Sequence, residues 1–262
     1  MMESLFLALS LIVALVYNEA CWKVFGWVAA FAFVVGFICK YLGEREQSAR
    51  FTRSDSFLVV ALSWIIFSLI GMVPFILIAE MDLASSFFET MSGFTTTGAT
   101  CIDDIDSQPH SLLFWRAITQ WIGGLGIVVF SFALIPVYEF RNSNMYSAEV
   151  TGLSLDKLRP KIGATARRML LIYLFLTSLC AFMYWLGPMN LYDAVCHSFT
   201  TIATGGFSTH TQSMAFSTVH ISNMWLVYSC WSAALIFHST ITSASDAAVL
   251  CLKTRSSGRS LP

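Results

Sequence analysis

Long apolar runs alternate with short ones along this chain. Runs of bilayer length, roughly 20 apolar residues, fall at about 4–18, 22–42, 57–79, 112–138 and 167–187, with a less regular one at 215–241. Each predicts a membrane-crossing helix. Two further segments, Leu83 to Gly93 and Asn190 to Ser198, are too short to span and predict re-entrant half-helices. Each leads into an uncharged, Thr/Gly-rich stretch: Phe94-Thr95-Thr96-Thr97-Gly98-Ala99-Thr100 and Phe199-Thr200-Thr201-Ile202-Ala203-Thr204-Gly205-Gly206. Irregular backbone at membrane depth is tolerated only where it is buried in protein or lines a water-filled cavity. The two stretches therefore predict loops that line a pathway.

The order helix, half-helix, Thr/Gly loop, helix runs from Arg53 to Val137, and a second copy starts at Arg167 and reaches to about 240. Phe88-Glu89 pairs with Tyr192-Asp193, Phe94-Thr95-Thr96 with Phe199-Thr200-Thr201, and Thr97-Gly98 with Thr204-Gly205. This register leaves Ile202-Ala203 as an insertion in the second copy. A repeat of this kind implies one structural unit used several times around an axis.

Composition agrees with the pattern. The chain has 262 residues, of which 56% are hydrophobic and 12% charged, and its mean hydropathy is +0.68; a soluble domain carries about 25% charged residues. The first apolar run, Leu5 to Tyr17, lacks the basic start and cleavage site of a signal peptide and is followed at once by another, so it reads as a short first membrane helix. Lys and Arg concentrate in 40–53 and 141–168 and are missing between Arg53 and Arg116 and between Arg168 and Lys253. By the positive-inside rule those two connections, and the N-terminus, face the cytoplasm, and both Thr/Gly loops open outward. Asp103, Asp104 and Asp106 then lie outside, either as a solvated surface or as an acidic mouth that concentrates cations. The seven cysteines are scattered without metal or redox spacing and read as small buried hydrophobes.

A cation entering a membrane must exchange water for oxygens that let it leave again, which inward-facing backbone carbonyls provide. Gly98 and Gly205-Gly206 supply the backbone freedom this needs, and the negative C-terminal end of each half-helix favours a cation at the loop. A small-residue helix contact is the plainer alternative for such a stretch. Gly123, Gly124 and Gly126 are expected to permit close packing rather than a hinge. Arg116, at the outer end of its helix, either snorkels to the interface or pairs with an acid such as Glu89 or Asp103. His197 and His210 flank the second loop without a second metal ligand in spacing, so packing or surface positions are expected. An intramembrane enzyme built on Asp193, His197 and Ser198 is the competing class, and the matching residues of the first copy do not support it.

The segments Phe87-Phe88-Glu89-Thr90-Met91-Ser92-Gly93 through Thr100, Phe114-Trp115-Arg116, Gln120-Trp121-Ile122-Gly123-Gly124-Leu125-Gly126-Ile127, Tyr146-Ser147-Ala148-Glu149 with Lys157-Leu158-Arg159-Pro160-Lys161-Ile162, and His197 through His210 together resemble the Trk/Ktr potassium transporter superfamily, specifically its TrkH-type membrane subunit. The resemblance runs from near the start to about Phe216. It implies four helix–loop–helix repeats around one potassium pathway, two additional N-terminal helices, a homodimer, and gating by a cytosolic TrkA-type nucleotide-binding subunit. Carried over by position, potassium-coordinating carbonyls come from Thr96, Thr97 and Gly98 and from Ala203, Thr204 and Gly205. Potassium is the substrate; no cofactor, nucleic-acid partner or enzymatic activity is implied.

Two departures stand out. The chain carries two such loops rather than four, and after Phe216 it lacks the family's Asn-Ser turn and small-residue helix. Loss of one base at Phe216 accounts for the second departure. Permitted codons for Phe216 to Ile241, read in the shifted frame, spell FNSPYIQYVVGIFMLVSGINFSLHY, with the expected turn and Asn-Phe-Ser-Leu-His ending, and Thr254 to Ser260 likewise yields KEFRAF. The expected architecture is thus an all-α integral membrane protein of the bacterial inner membrane. It comprises a two-helix hairpin (1–45), a first helix–pore loop–helix repeat (53–140), a cytoplasmic linker (141–166), the first helix and loop of a second repeat (167–216), and an out-of-frame tail (217–262). Two of four loops imply a copy inactive alone, unless two chains assemble into one four-loop pore.

Overall fold

Apolar length and the placement of polar caps decide where the helices begin and end. A computed structural model describes residues 2–44, 53–143, 159–187 and 189–213. Among these the backbone forms helices and connecting turns, with no strand: α1 (Met2–Val16), α2 (Trp22–Glu44), α3 (Arg53–Gly71), α4 (Val73–Ile78), α5 (Leu83–Phe94), α6 (His110–Ser143), α7 (Arg159–Leu186) and α8 (Leu191–Ile202). Residues Met1–Phe216 make one compact unit, and 217–262 lie outside the described residues.

Among the described residues three stretches are long and apolar enough to cross a membrane: Trp22–Gly43, Ala61–Ile78 and Arg167–Leu186; α1 is a shorter apolar helix. Large side chains on these helices, such as Trp27, Phe31, Phe37, Ile66 and Phe175, are exposed. That is the expected state of a surface that meets lipid rather than water.

The run expected at 57–79 is interrupted rather than continuous. Pro74 has no N–H to give to the carbonyl of Ile70, and the Phe75 N–H turns to Met72 O (3.0 Å). The freed Gly71 carbonyl accepts the Trp115 indole N–H (3.0 Å), which ties the break to α6. A Cβ at Gly71 would lie 2.9 Å from Thr90 and 3.2 Å from Phe94, so α3 meets α5 at closest approach there. The segment expected as a linker, 141–166, is shorter than its charge suggested. α6 continues to Ser143 and α7 already begins at Arg159, with Pro160 in the first turn, where its missing N–H costs nothing. Residues 144–158 lie outside the described residues, as does the apolar run at 215–241.

The core joins α1, α2, α4 and α6 through Leu7, Phe25, Val28, Ala32, Phe75, Leu112, Trp115 and Ile118. At the end of the α1–α2 hairpin, Glu19 caps α6, accepting the backbone N–H of His110 (2.7 Å) and Ser111 (3.1 Å) and the Ser111 hydroxyl (2.5 Å). Tyr17 stacks on His110 with centroids 4.3 Å apart.

The two short helices are inverted in polarity. α5 buries Ser86, Glu89, Thr90 and Ser92 and exposes Leu83 and Phe88; α8 buries Asp193, His197, Ser198 and Thr200 and exposes Leu191. Each starts at a polar cap. Asp82 accepts the N–H of Ala84 and Ser85 (3.1 and 3.2 Å), and Asn190 accepts that of Asp193 (2.8 Å). Such caps satisfy donors that a helix start leaves open.

Candidate functional site

Both short helices end in the same backbone figure. After α5 the Thr96 N–H bonds Gly93 O (3.0 Å) and the Thr97 N–H bonds Ser92 O (2.9 Å). After α8 the Thr204 N–H bonds Thr201 O (3.0 Å) and the Gly205 N–H bonds Thr200 O (2.8 Å). Thr96 and Thr204 are left-handed (φ 57° and 55°), and so are Gly98 and Gly206 (φ 78° and 86°). One constant spacing therefore relates Asp82 to Asn190, Thr96 to Thr204, Thr97 to Gly205 and Gly98 to Gly206. This corrects the register expected from sequence: there is no Ile202-Ala203 insertion, Glu89 takes the place of His197, and the glycine matching Gly98 is Gly206. Matching by residue type misled because Thr97 and Gly205 share a backbone position without sharing a side chain.

The loops meet. A Cβ on Gly98 would fall onto the carbonyl oxygen of Gly205, so only glycine lets the two backbones come so close. Of the residues expected to supply carbonyls, Thr97 and Thr204 are exposed, Thr96 and Gly98 are half-buried, and Ala203 and Gly205 are buried. The Thr95 hydroxyl lies 2.8 Å from that of Thr97 and donates to Met91 O (2.7 Å), and the Ser92 hydroxyl donates to Ala99 O (2.6 Å). The first loop is thus held by its own helix.

α6 is the surface on which both loops rest. A Cβ on Gly123 would strike the Phe94 carbonyl, and one on Gly124 would lie 3.1 Å from Ala203 and 2.8 Å from the Tyr173 hydroxyl. These glycines do serve close packing, and what packs on them is loop backbone. Gln120, fully buried, accepts the Phe207 N–H (3.2 Å).

One turn nearer the start of α6, Arg116 is 2% exposed and Glu89 fully buried, and Arg116 Nε donates to Glu89 Oε1 at 2.6 Å. Of the alternatives weighed for Arg116, the structure selects Glu89. The carboxylate also accepts the Thr100 hydroxyl (3.0 Å) and the Cys101 N–H (2.8 Å), while Arg116 Nη1 donates to Ser208 O (2.8 Å). The guanidinium carbon lies 3.7 Å from the centre of the Phe207 ring. A single buried ion pair thereby fastens the exits of both loops.

Farther out, His210 bridges Asp106 (Nδ1, 2.7 Å) and Asp193 (Nε2, 3.3 Å), and Asp106 also accepts the Thr211 N–H (3.2 Å). The hydrogen bond to His210 holds the Asp106 carboxyl below its ordinary value. Thr209 donates to Asp193 (2.7 Å) and lies 3.3 Å from the buried His197. Of the three aspartates expected to lie outside, Asp106 is therefore a brace between loop exits rather than a free surface charge. The Ser198 hydroxyl donates to Val195 O (2.7 Å) and takes no part with His197. Among the described residues no group of His, Cys, Asp and Glu could hold a metal ion. Of the described cysteines, Cys180 and Cys196 are buried as expected, but Cys39 and Cys101 are exposed.

The sequence profile of the TrkH family, described as a cation transport protein, matches residues 26–235. The chain belongs to the TrkH family. The Trk system potassium uptake protein TrkH of Salmonella typhimurium is 40% identical over 208 residues, covering 78% of this chain and 43% of the relative. TrkH of Halomonas elongata is 37% identical over 245 residues (90% and 50%), and TrkG of Escherichia coli is 36% identical over 209 (79% and 43%). The crystal structure of the potassium transporter TrkH from Vibrio parahaemolyticus matches with a TM-score of 0.70 at 34% identity, covering 90% of this chain and 46% of that one. This chain spans about half the length of the curated relatives it matches. The matched relatives are named as potassium uptake proteins, and with its apolar spans this chain is a multi-pass membrane protein.

Sequence reasoning did not find the role of Gln120 or the outer His210 bridge. A signal for the first was present: Gln120 is an uncharged polar residue in an apolar helix, four positions after Arg116 and so on the same face.

Proposed function

We propose that this chain provides part of a potassium pathway, in which carbonyls of Thr96, Thr97 and Gly98 and of Ala203, Thr204 and Gly205 replace the water shell of the ion. The observation that carries this is the meeting of two left-handed Thr/Gly loops, Gly98 against Gly205, at the C-terminal ends of two short helices. Those ends are the partially negative poles of the helices, and uncharged oxygens bind an ion weakly enough to release it. In this reading the repeat unit is helix, half-helix, loop and helix, used four times in a complete pore. The chain lies in the inner membrane with its N-terminus and basic connections cytoplasmic and its loops open to the outside. The complete pore works as a homodimer on a TrkA-type nucleotide-binding ring.

Two loops give an ion half a ring of oxygens, so the chain alone does not sustain uptake. The test is a chimera in which residues 26–216 replace the matching stretch of the Salmonella relative, expressed in a host deficient in potassium uptake. It is expected to restore growth on low potassium and rubidium uptake, whereas this chain alone does neither. A chimera that reaches the membrane at the relative's level without restoring uptake overturns the reading. Rescue by this chain alone replaces half-ring inactivity with assembly of two chains into a four-loop pore.

A further inference from the structure

Gln120 sits where the two loops meet, and half of its amide is unused. Its Oε1 accepts the Phe207 N–H (3.2 Å), and because that donor needs an acceptor, the amide orientation is set: Nε2 must face the other way. There it is buried and has no hydrogen-bond partner among the described residues. It lies 3.6 Å from the position a Cβ would take on Gly98, in the first loop. The amide plane also lies so close to Gly205, in the second loop, that a Cβ there would overlap its carbon, oxygen and nitrogen. The side chain thus packs on Gly205 and reaches toward Gly98, where the two loops meet.

A buried amide N–H2 left without a partner costs about 1–3 kcal/mol, and an apolar side chain of similar volume would avoid that cost. Nothing in helix formation calls for glutamine here. Among the residues of α6 that face the loops, Arg116 fastens their exits and Gly123 makes room for Phe94, but Gln120 is placed at the contact of Gly98 with Gly205 itself. We infer that Gln120 is a positioning residue that sets the spacing between the two loops, its carbonyl fixing the second loop through Phe207 and the bulk of its amide filling the space between Gly205 and Gly98. Resting on the potassium reading, this makes Gln120 a determinant of which monovalent cation passes. A ring of carbonyls discriminates between ions only if its members keep their distances, and Gln120 governs one of those distances.

The test compares wild type with Gln120→Ala, which removes both the acceptor and the bulk between the loops, and Gln120→Met, which keeps the volume but removes the acceptor for Phe207. Hydrogen exchange is followed over 95–101 and 203–208 in the full chain in lipid nanodiscs. Gln120→Ala is expected to speed exchange of both loops, with α6 still protected. Gln120→Met is expected to speed 203–208 about fivefold, the scale of one lost hydrogen bond, and to leave 95–101 unchanged. In the chimera described above, Gln120→Ala is expected to lower the ratio of rubidium to sodium uptake, a readout that a merely structural role would leave in place. Unchanged exchange over 95–101 in Gln120→Ala overturns the positioning role; an unchanged uptake ratio overturns the selectivity role. If the unmutated chimera carries no rubidium, the potassium reading and the selectivity role fall together, while exchange in the nanodisc still decides whether Gln120 couples the loops.

Discussion

Glu89 and Arg116 illustrate how much one pair of residues is asked to hold. Both are buried, and their partners come from four places: Thr100, Cys101, Ser208 and the Phe207 ring. Removing one member leaves the other charge buried without compensation, which costs about 3–5 kcal/mol. Arg116→Met should therefore be strongly destabilising in detergent unfolding, and the double variant Arg116→Met/Glu89→Gln should recover much of the loss. If the double variant is as unstable as the single, the charge is not what the pair neutralises. The loop glycines separate two causes of intolerance. Gly206→Ala meets open space, so it should cost only the left-handed conformation, about 1–2 kcal/mol. Gly98→Ala carries the same conformational cost and drives its methyl into Gly205, so it should be clearly worse in the same detergent unfolding assay. Equal losses would mean that the loops can part freely.

At the level of elements, α6 acts as the gauge of the site. In successive turns it presents Arg116, Gln120 and Gly123 to the loops, and its start is set by a residue from another segment, Glu19. Burial pushes the Glu19 carboxyl up, but the hydrogen bonds from Ser111 and the His110 backbone outweigh it and hold the group below its ordinary value. A carboxyl lowered in the folded state contributes stability above its unfolded value, and that contribution is lost as pH falls through the folded value. Glu19→Gln should thus lower the unfolding midpoint at pH 7 by the worth of a helix cap, about 1 kcal/mol. The difference from wild type should shrink once pH drops below about 4. A pH-independent difference would show that shape, not charge, matters at this cap. Most of these elements could be read from the sequence, because bilayer-length apolar runs and too-short runs differ plainly. The break at Met72 was less visible, since Pro74 lies inside an otherwise unbroken apolar stretch. The reach of α6 and α7 into the basic segment was hidden because charge marks the membrane boundary and not the end of a helix.

For the molecule as a whole, the family and the two loops were legible in the residues that line the site. The repeat register was not. Residue identity suggested an insertion, while left-handed backbone at Thr96, Thr204, Gly98 and Gly206 shows that the two copies run in step. The shifted reading of 217–262 predicts that a one-base change near the codon for Phe216 reopens a frame encoding two more Thr/Gly loops, and sequencing the locus checks it. The family match extends to residue 235, past the Phe216 at which the resemblance was expected to end, and an unshifted frame at the locus would leave those matched residues as genuine family sequence.

The inverted polarity of α5 and α8 has a consequence for how the protein is made. A nascent segment enters lipid from the translocon when its surface is apolar, and α5 offers the membrane Glu89, Thr90 and Ser92. It has nowhere to bury them until α6 emerges with Arg116, 27 residues after its partner Glu89. Arg116 in turn waits for Ser208, which is synthesised 92 residues later still. Biogenesis must therefore run backwards at the first loop: α6 inserts first, α5 before it in the chain folds in afterwards, and the two loops meet only when the second has arrived.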